Sequence, residues 1–141
     1  MAASVLVDAG FLVALLSRRD AHHSWAVSQG EQSPPPWHTC ESVLSEAFHL
    51  LGSRGAPVLS ELLRRNVLIV SFEASHDLEP VLKLMDKYCD VPASLADAVL
   101  VRLTEILADP VLLTTDGDFR VYRRHGRQAI PIVLPRPARR R

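Results

Sequence analysis

Four acidic residues, Asp8, Glu46, Asp97 and Asp116, stand where a carboxylate needs a reason to be. Each falls where a strand ends or a helix begins or buries itself, among apolar or small residues. The segments are Val5-Leu6-Val7-Asp8-Ala9-Gly10, Ser42-Val43-Leu44-Ser45-Glu46-Ala47-Phe48, Ser94-Leu95-Ala96-Asp97-Ala98-Val99-Leu100 and Leu112-Leu113-Thr114-Thr115-Asp116-Gly117-Asp118-Phe119. An isolated carboxylate taken out of water costs several kcal/mol unless it is paired, protonated or bound to a metal. One shared divalent cation would account for all four. A hard divalent cation takes oxygen ligands of this kind.

Each acid also has a plainer reading. Asp8 fits the N-cap of a helix starting at Ala9 or Gly10, and Ser94-x-x-Asp97 has capping-box spacing. Glu46 lies about a turn inside its helix, between Val43 and Leu50 on the helical wheel, where a salt bridge at the edge of the apolar stripe would satisfy it. Asp116-Gly117-Asp118 reads as a turn. No other constellation competes. His22, His23, His38, His49, His76 and His125 lack metal-ligand spacing, and Gly52-Ser53-Arg54-Gly55 lacks the lysine of a phosphate loop.

The elements that must position these acids alternate along the chain. Strand patterns cover residues 4–8, 37–39, 67–71, 111–114 and 130–134, the last an edge strand because it contains Pro131. Helical patterns cover residues 10–17, 21–29, 41–51, 57–65, 75–88, 94–107 and 119–125, with Gly52 ending the third and the 94–107 helix apolar enough to be central. Such alternation implies an α/β fold with a mostly parallel sheet between helical layers. In that architecture ligands bind at the carboxyl ends of strands, where Asp8 and Asp116 fall.

A chain of 141 residues that is 48% apolar is one domain's worth. Its only cysteines, Cys40 and Cys89, read as free thiols in a reducing cytoplasm. The apolar opening from Val5 to Leu16 carries Asp8 and no preceding basic stretch, which excludes a signal peptide or spanning helix and predicts a cytoplasmic protein without membrane partners. With four of the 16 basic residues in the last six positions, residues 1–135 carry 12 basic against 16 acidic groups, a net charge of −4. Residues 1–135 are therefore expected to form the domain and residues 136–141 a disordered basic tail. A second basic cluster, Arg120, Arg123, Arg124, His125 and Arg127, follows the Asp116 segment. It reads either as a solvated face or as a phosphate-binding rim, with Arg120, Arg123 and Arg124 the candidates for the rim.

Taken in order, the four acidic segments resemble the motifs of PIN domains, most nearly those of VapC-type toxins from bacterial toxin–antitoxin pairs. The resemblance runs from about residue 4 to residue 134. It implies a three-layer α/β/α nuclease that uses Mg2+, or Mn2+, to hydrolyse RNA phosphodiester bonds. It also implies that Asp8, Glu46, Asp97 and Asp116 are the catalytic acids, as metal ligands or water orienters, with Asp118 a fifth acid that either completes the set of metal ligands or supports those ligands from behind. Thr114 or Thr115 would hydrogen-bond a carboxylate or the attacking water. A small antitoxin and a second copy of the chain are the implied partners; the helices at 21–29 and 57–65 are candidate surfaces for them, although an ordinary core face explains their apolar residues equally well. The chain departs from the family pattern at Gly10, where many relatives have Ser or Thr, and at Ser94, where some have Asp. Fewer groups then remain to hold a second ion.

Two other functions fit parts of the pattern. A PIN-like module could bind RNA or protein without cutting, and would leave RNA intact under all metal conditions. A small-substrate phosphohydrolase could use Asp8 as nucleophile, but such an aspartate usually has a second Asp two residues on, and position 10 is Gly.

Overall fold

Three consecutive apolar residues, Val5, Leu6 and Val7, are all buried, so the first strand, β1 (Ser4–Val7), is covered on both faces. That is the signature of a central parallel strand. The computed structural model, which describes residues 2–137, builds a five-stranded sheet around it in the order β3-β2-β1-β4-β7. Every pairing in this sheet is parallel. From β1 the chain passes through α1 (Ala9–Leu16) and α2 (His23–Gln32) to β2 (Trp37–Thr39), then through α3 (Glu41–Arg64) to β3 (Leu68–Val70). It returns through α4 (Leu78–Lys87) and α5 (Leu95–Ile106) to β4 (Pro110–Leu113) on the other side of β1. A 3-10 turn at Gly117–Arg120 and a hairpin of β5 (Arg123–Arg124) and β6 (Gln128–Ala129) lead to β7 (Ile132–Val133), which forms the edge beside β4. Helices cover both faces of the sheet, giving the three layers expected.

The sheet grows outward from β1 in both directions, so its order reverses between β1 and β4. Their register, Ser4 with Pro110 through Val7 with Leu113, ends both strands at the same level. Asp8 and the Thr114–Asp116 segment therefore leave the sheet side by side at its switch point.

Packing fixes α1 against this sheet. Phe11 is fully buried and meets Trp25 of α2 and Trp37 of β2 edge-on, with ring centroids 5.9 and 5.7 Å away. Fully buried Phe119 and Tyr122 do the same below the 3-10 turn, 5.4 Å apart. The apolar 94–107 pattern is accounted for by α5, whose Ala96, Ala98, Val99, Leu100, Val101, Leu103 and Thr104 are all buried.

Three elements differ from expectation. Gly52 does break α3, adopting φ 62° and ψ −159°, a conformation reserved for glycine, but the helix resumes at once and takes in the predicted 57–65 segment. Asp77 separates a 3-10 turn at Ala74–His76 from α4, so Pro80 falls in the first turn of a shorter helix. Residues 119–125 are not a helix. The spacing of Phe119 and Tyr122 is satisfied by one 3-10 turn, and His125 and Gly126, both at positive φ, reverse the chain into the hairpin. Among the described residues no helix is long and apolar enough to cross a membrane. The tail expected at 136–141 lies outside the described residues from Ala138 onward.

Candidate active site

Asp8 is the only one of the four acids that is buried, at 7% exposure. Its Oδ1 accepts from the Ala9 backbone N–H at 2.7 Å, capping α1, and its Oδ2 accepts from the Thr114 hydroxyl at 2.8 Å. The Thr114 Oγ1 in turn accepts from the Asp116 N–H at 3.0 Å, and the Asp8 N–H donates to the Leu113 carbonyl at 3.1 Å. The ends of β1 and β4 are thus stitched together through the carboxylate. Burial pushes the Asp8 carboxyl up to about 6, against the pull of its two hydrogen bonds, and the nearby Asp97 and Glu46 add to the rise.

The other acids reach the same place from different elements. Asp97 stands at the third position of α5 in a complete capping box: its Oδ2 accepts from the Ser94 N–H at 3.0 Å, and Ser94 Oγ accepts from the Asp97 N–H at 3.1 Å. Burial raises its pKa, Ser94 opposes the rise, and Asp116 and Asp118 reinforce it. Asp116 caps the 3-10 turn by accepting from the Asp118 N–H at 2.9 Å. Glu46 is exposed on the first half of α3. Together Asp8, Glu46, Asp97 and Asp116, with Ala9, Gly10, Ser94 and Thr115, line one cleft of about 340 Å3. Asp118 is exposed on the adjoining turn.

Capping and cleft-lining coexist at Asp8 and Asp97, so the plainer reading of each residue does not displace the other. The cost argument, however, applies in full to Asp8 alone, because Glu46 is exposed and Asp97 and Asp116 are only partly covered. What the four share is uncompensated charge: among the described residues no basic side chain forms an ion pair with any of them or with Asp118.

The donor set is all carboxylate and hydroxyl oxygen, which suits a hard divalent cation and no soft one. Each carboxylate offers about four acceptor positions and uses at most two of them here. As the side chains stand, no three His, Cys, Asp or Glu groups among the described residues are drawn to ligating distance. The fit to a cation therefore rests on donor type, shared location and unbalanced charge. Cys40, buried on the α3 side, is a neutral thiol pushed up to about 11 by burial and is no ligand in that state.

The basic cluster divides. Arg123 Nη1 donates to the carbonyls of Arg120 at 2.6 Å and Tyr122 at 3.1 Å. Arg124 donates through Nε, at 3.1 Å, and Nη2 to the Thr104 carbonyl near the end of α5, and through Nη1 to Gln128 at 3.3 Å. Both guanidinium groups are occupied by the backbone, whereas the exposed Arg120 and Arg127 have no such side-chain bonds among the described residues.

Sequence reasoning missed two features. Gly10 faces the cleft, and a Cβ there would fall inside the contact radius of the Thr115 hydroxyl oxygen. Its only signal was the absence of a side chain beside the first aspartate. A second groove, about 480 Å3, runs between the end of α1 and the middle of α3, floored by Val13, Leu16, Leu50 and Leu51 and edged by Arg18, Arg19 and Arg54.

The sequence model of the PIN domain matches residues 5–124. No curated protein sequence matches the chain. Among solved structures it is similar to VapC20 of Mycobacterium tuberculosis, described as a Sarcin-Ricin loop cleaving toxin, with a TM-score of 0.75 and 24% identity over 84% of this chain and 94% of that one.

Proposed function

Because the chain belongs to the PIN domain family, we propose that it is a metal-dependent endoribonuclease acting as the toxin of a toxin–antitoxin pair. The observation that carries this reading is the convergence of Asp8, Glu46, Asp97 and Asp116, from four separate elements, on one cleft at the sheet's switch point. A divalent cation bound there, Mg2+ or Mn2+, would supply an acidified water and a counter-charge for the phosphate.

In this reading Asp8, Asp97 and Asp116 would hold the cation, with Asp118 at the margin. Thr114, by donating to Asp8 Oδ2, fixes the direction of the carboxylate and favours its ionised form. Ser94 does the same for Asp97 through the capping box. Glu46, exposed on α3 at the same cleft, would orient the attacking water through its carboxylate. Without a counter-charge this cleft repels RNA, so the backbone needs cations at its rim. Arg120 is the residue we assign to that contact; Arg123 and Arg124 shape the surface around it.

The division is testable. Arg120→Ala should reduce the slope of log K for RNA against log salt by about one and leave thermal stability unchanged. Arg124→Ala should instead destabilise the fold by about 1–3 kcal/mol, through the orphaned Thr104 carbonyl, with little change in that slope. Salt titrations and melts of the two variants, run side by side, decide between a rim contact and a structural one.

The α1–α3 groove suits an antitoxin segment with apolar anchors and acidic flanks, since Arg18, Arg19 and Arg54 form no ion pair among the described residues. Leu78 and Leu82, one turn apart and exposed on α4, offer an apolar stripe for a second copy of the chain.

The test of the function is cleavage of a mixed RNA pool and of a sarcin–ricin loop hairpin by purified protein, with Mg2+, Mn2+ or EDTA, beside Asp8→Asn. Metal-dependent cutting lost in the variant is the expected result. Intact RNA in every metal, from folded protein free of antitoxin, would leave a binding module.

A further inference from the structure

We propose that Thr115 is a substrate-binding residue of the cleft, donating its hydroxyl hydrogen to a non-bridging oxygen of the bound phosphate, and that position 10 is glycine to make room for it. The inference rests on the nuclease reading of the same cleft. Thr114 and Thr115 are adjacent but differently committed. The Thr114 hydroxyl donates to Asp8 and accepts from the Asp116 N–H, and the residue is fully buried. Thr115 lines the cleft, and the side-chain hydrogen bonds of the Thr114–Asp116 segment run through the Thr114 hydroxyl and leave the Thr115 hydroxyl out.

That hydroxyl occupies the space a Cβ at position 10 would need, so any residue other than glycine would displace it. The clash is with the oxygen itself; the next nearest atom, Thr115 Cβ, would be 3.4 Å away, an ordinary contact. The site is therefore shaped around the oxygen. The other polar side chains of the cleft are the carboxylates of Asp8, Glu46, Asp97 and Asp116, which are acceptors when charged, and Ser94, whose hydroxyl oxygen is engaged by the Asp97 N–H. A phosphate oxygen is likewise an acceptor. The Thr115 O–H, in the same cleft as Asp8, Gly10 and Asp116, supplies a donor that the carboxylates around it do not.

The experiment compares Thr115→Val, which keeps the shape and removes the hydroxyl, with Thr115→Ser, which keeps the hydroxyl. It adds Gly10→Ala in wild-type and Thr115→Ala backgrounds. Thr115→Val should lower kcat/KM for RNA by roughly tenfold to a hundredfold, the effect of one hydrogen bond to a charged group, with Thr115→Ser near wild type. Anisotropy of labelled RNA on cleavage-dead Asp8→Asn protein should show weaker binding when Thr115→Val is added. Gly10→Ala should be harmful alone and nearly silent once Thr115 is alanine, because the two side chains compete for one space. Melting temperatures establish that each variant is folded.

Wild-type cleavage and RNA affinity in Thr115→Val would overturn the proposal while leaving the nuclease intact. A raised Mg2+ requirement in thermal-shift titration, with RNA affinity unchanged, would overturn it too, by placing the hydroxyl on the ion. If the wild-type protein cuts no RNA, the nuclease reading fails, and equal RNA affinity with and without the Thr115 hydroxyl then overturns the contact as well.

Discussion

Asp8→Asn should abolish RNA cleavage and, in the same sample without metal, make the protein more stable at neutral pH. The two effects have one cause. Asp8 is buried with a carboxyl pushed from 3.8 up to about 6, so the folded state holds its proton more tightly than the unfolded chain does. Below pH 3.8 both states are protonated and the residue carries no penalty. Between 3.8 and about 6 the unfolded chain ionises first and folding stability falls; above about 6 the loss is complete, at about 3 kcal/mol. Asparagine does not ionise, so the variant should lose this pH dependence and gain roughly 1–3 kcal/mol at pH 7.5. The gain is less than the full penalty because Ala9 and Thr114 donate to two different carboxylate oxygens, and asparagine replaces one of them with an NH2 group that cannot accept. Melts from pH 4 to 8 in EDTA read it directly, and added Mg2+ should stabilise wild type far more than the variant. Superimposable pH profiles for the two proteins would remove Asp8 from the centre of the site.

Phe11→Ala should cost about 3–5 kcal/mol, the loss typical of deleting a buried aromatic ring, and should lower the melting temperature by roughly 10 °C for a domain of this size. Phe11 is fully buried, wedged edge-on between Trp25 and Trp37. Its neighbours belong to α2 and β2, so the cavity lies between layers and cannot close without moving α1. The N-cap of α1 is Asp8, which ties the packing defect to the site. Urea titration should give a lower midpoint with an unchanged slope. A loss below about 1 kcal/mol would mean that the two indoles collapse into the gap and that α1 is held by other contacts.

Much of this was legible because buried parallel strands leave continuous apolar runs. Val5-Leu6-Val7 and Val111-Leu112-Leu113 announced themselves in that way, and an acid directly after or near such a run marks the end of the sheet where ligands bind. The Ser94-x-x-Asp97 spacing was equally plain, and the capping box it predicts is present. What could not be read was pairing between distant segments. Nothing local says that β4 lies beside β1, so nothing local says that Thr114 meets Asp8. Neighbouring residues on an extended chain point opposite ways, which is why Thr114 is buried and Thr115 faces the cleft, but choosing between them required the sheet. Charge runs were the least legible: Arg123, Arg124 and Arg120 look alike in sequence, and only the positions of the Thr104 and Tyr122 carbonyls separate a structural guanidinium from a free one. The predicted 119–125 helix failed because Phe119 and Tyr122 need only one turn to reach the core.

The pairing of β1 with β4 also governs when the cleft can form during synthesis. The centre of the sheet emerges from the ribosome first, yet one of its two neighbours is made more than a hundred residues later, and the hydroxyl that secures Asp8 comes later still. A chain interrupted before Thr114 has β1 open on one side, a buried acid without its donor, and neither Thr115 nor Asp116. Contacts of such sequence separation form late in folding. A nascent copy therefore carries Asp8, Glu46 and Asp97 while remaining unable to assemble the cleft until Thr114, Thr115 and Asp116 have followed.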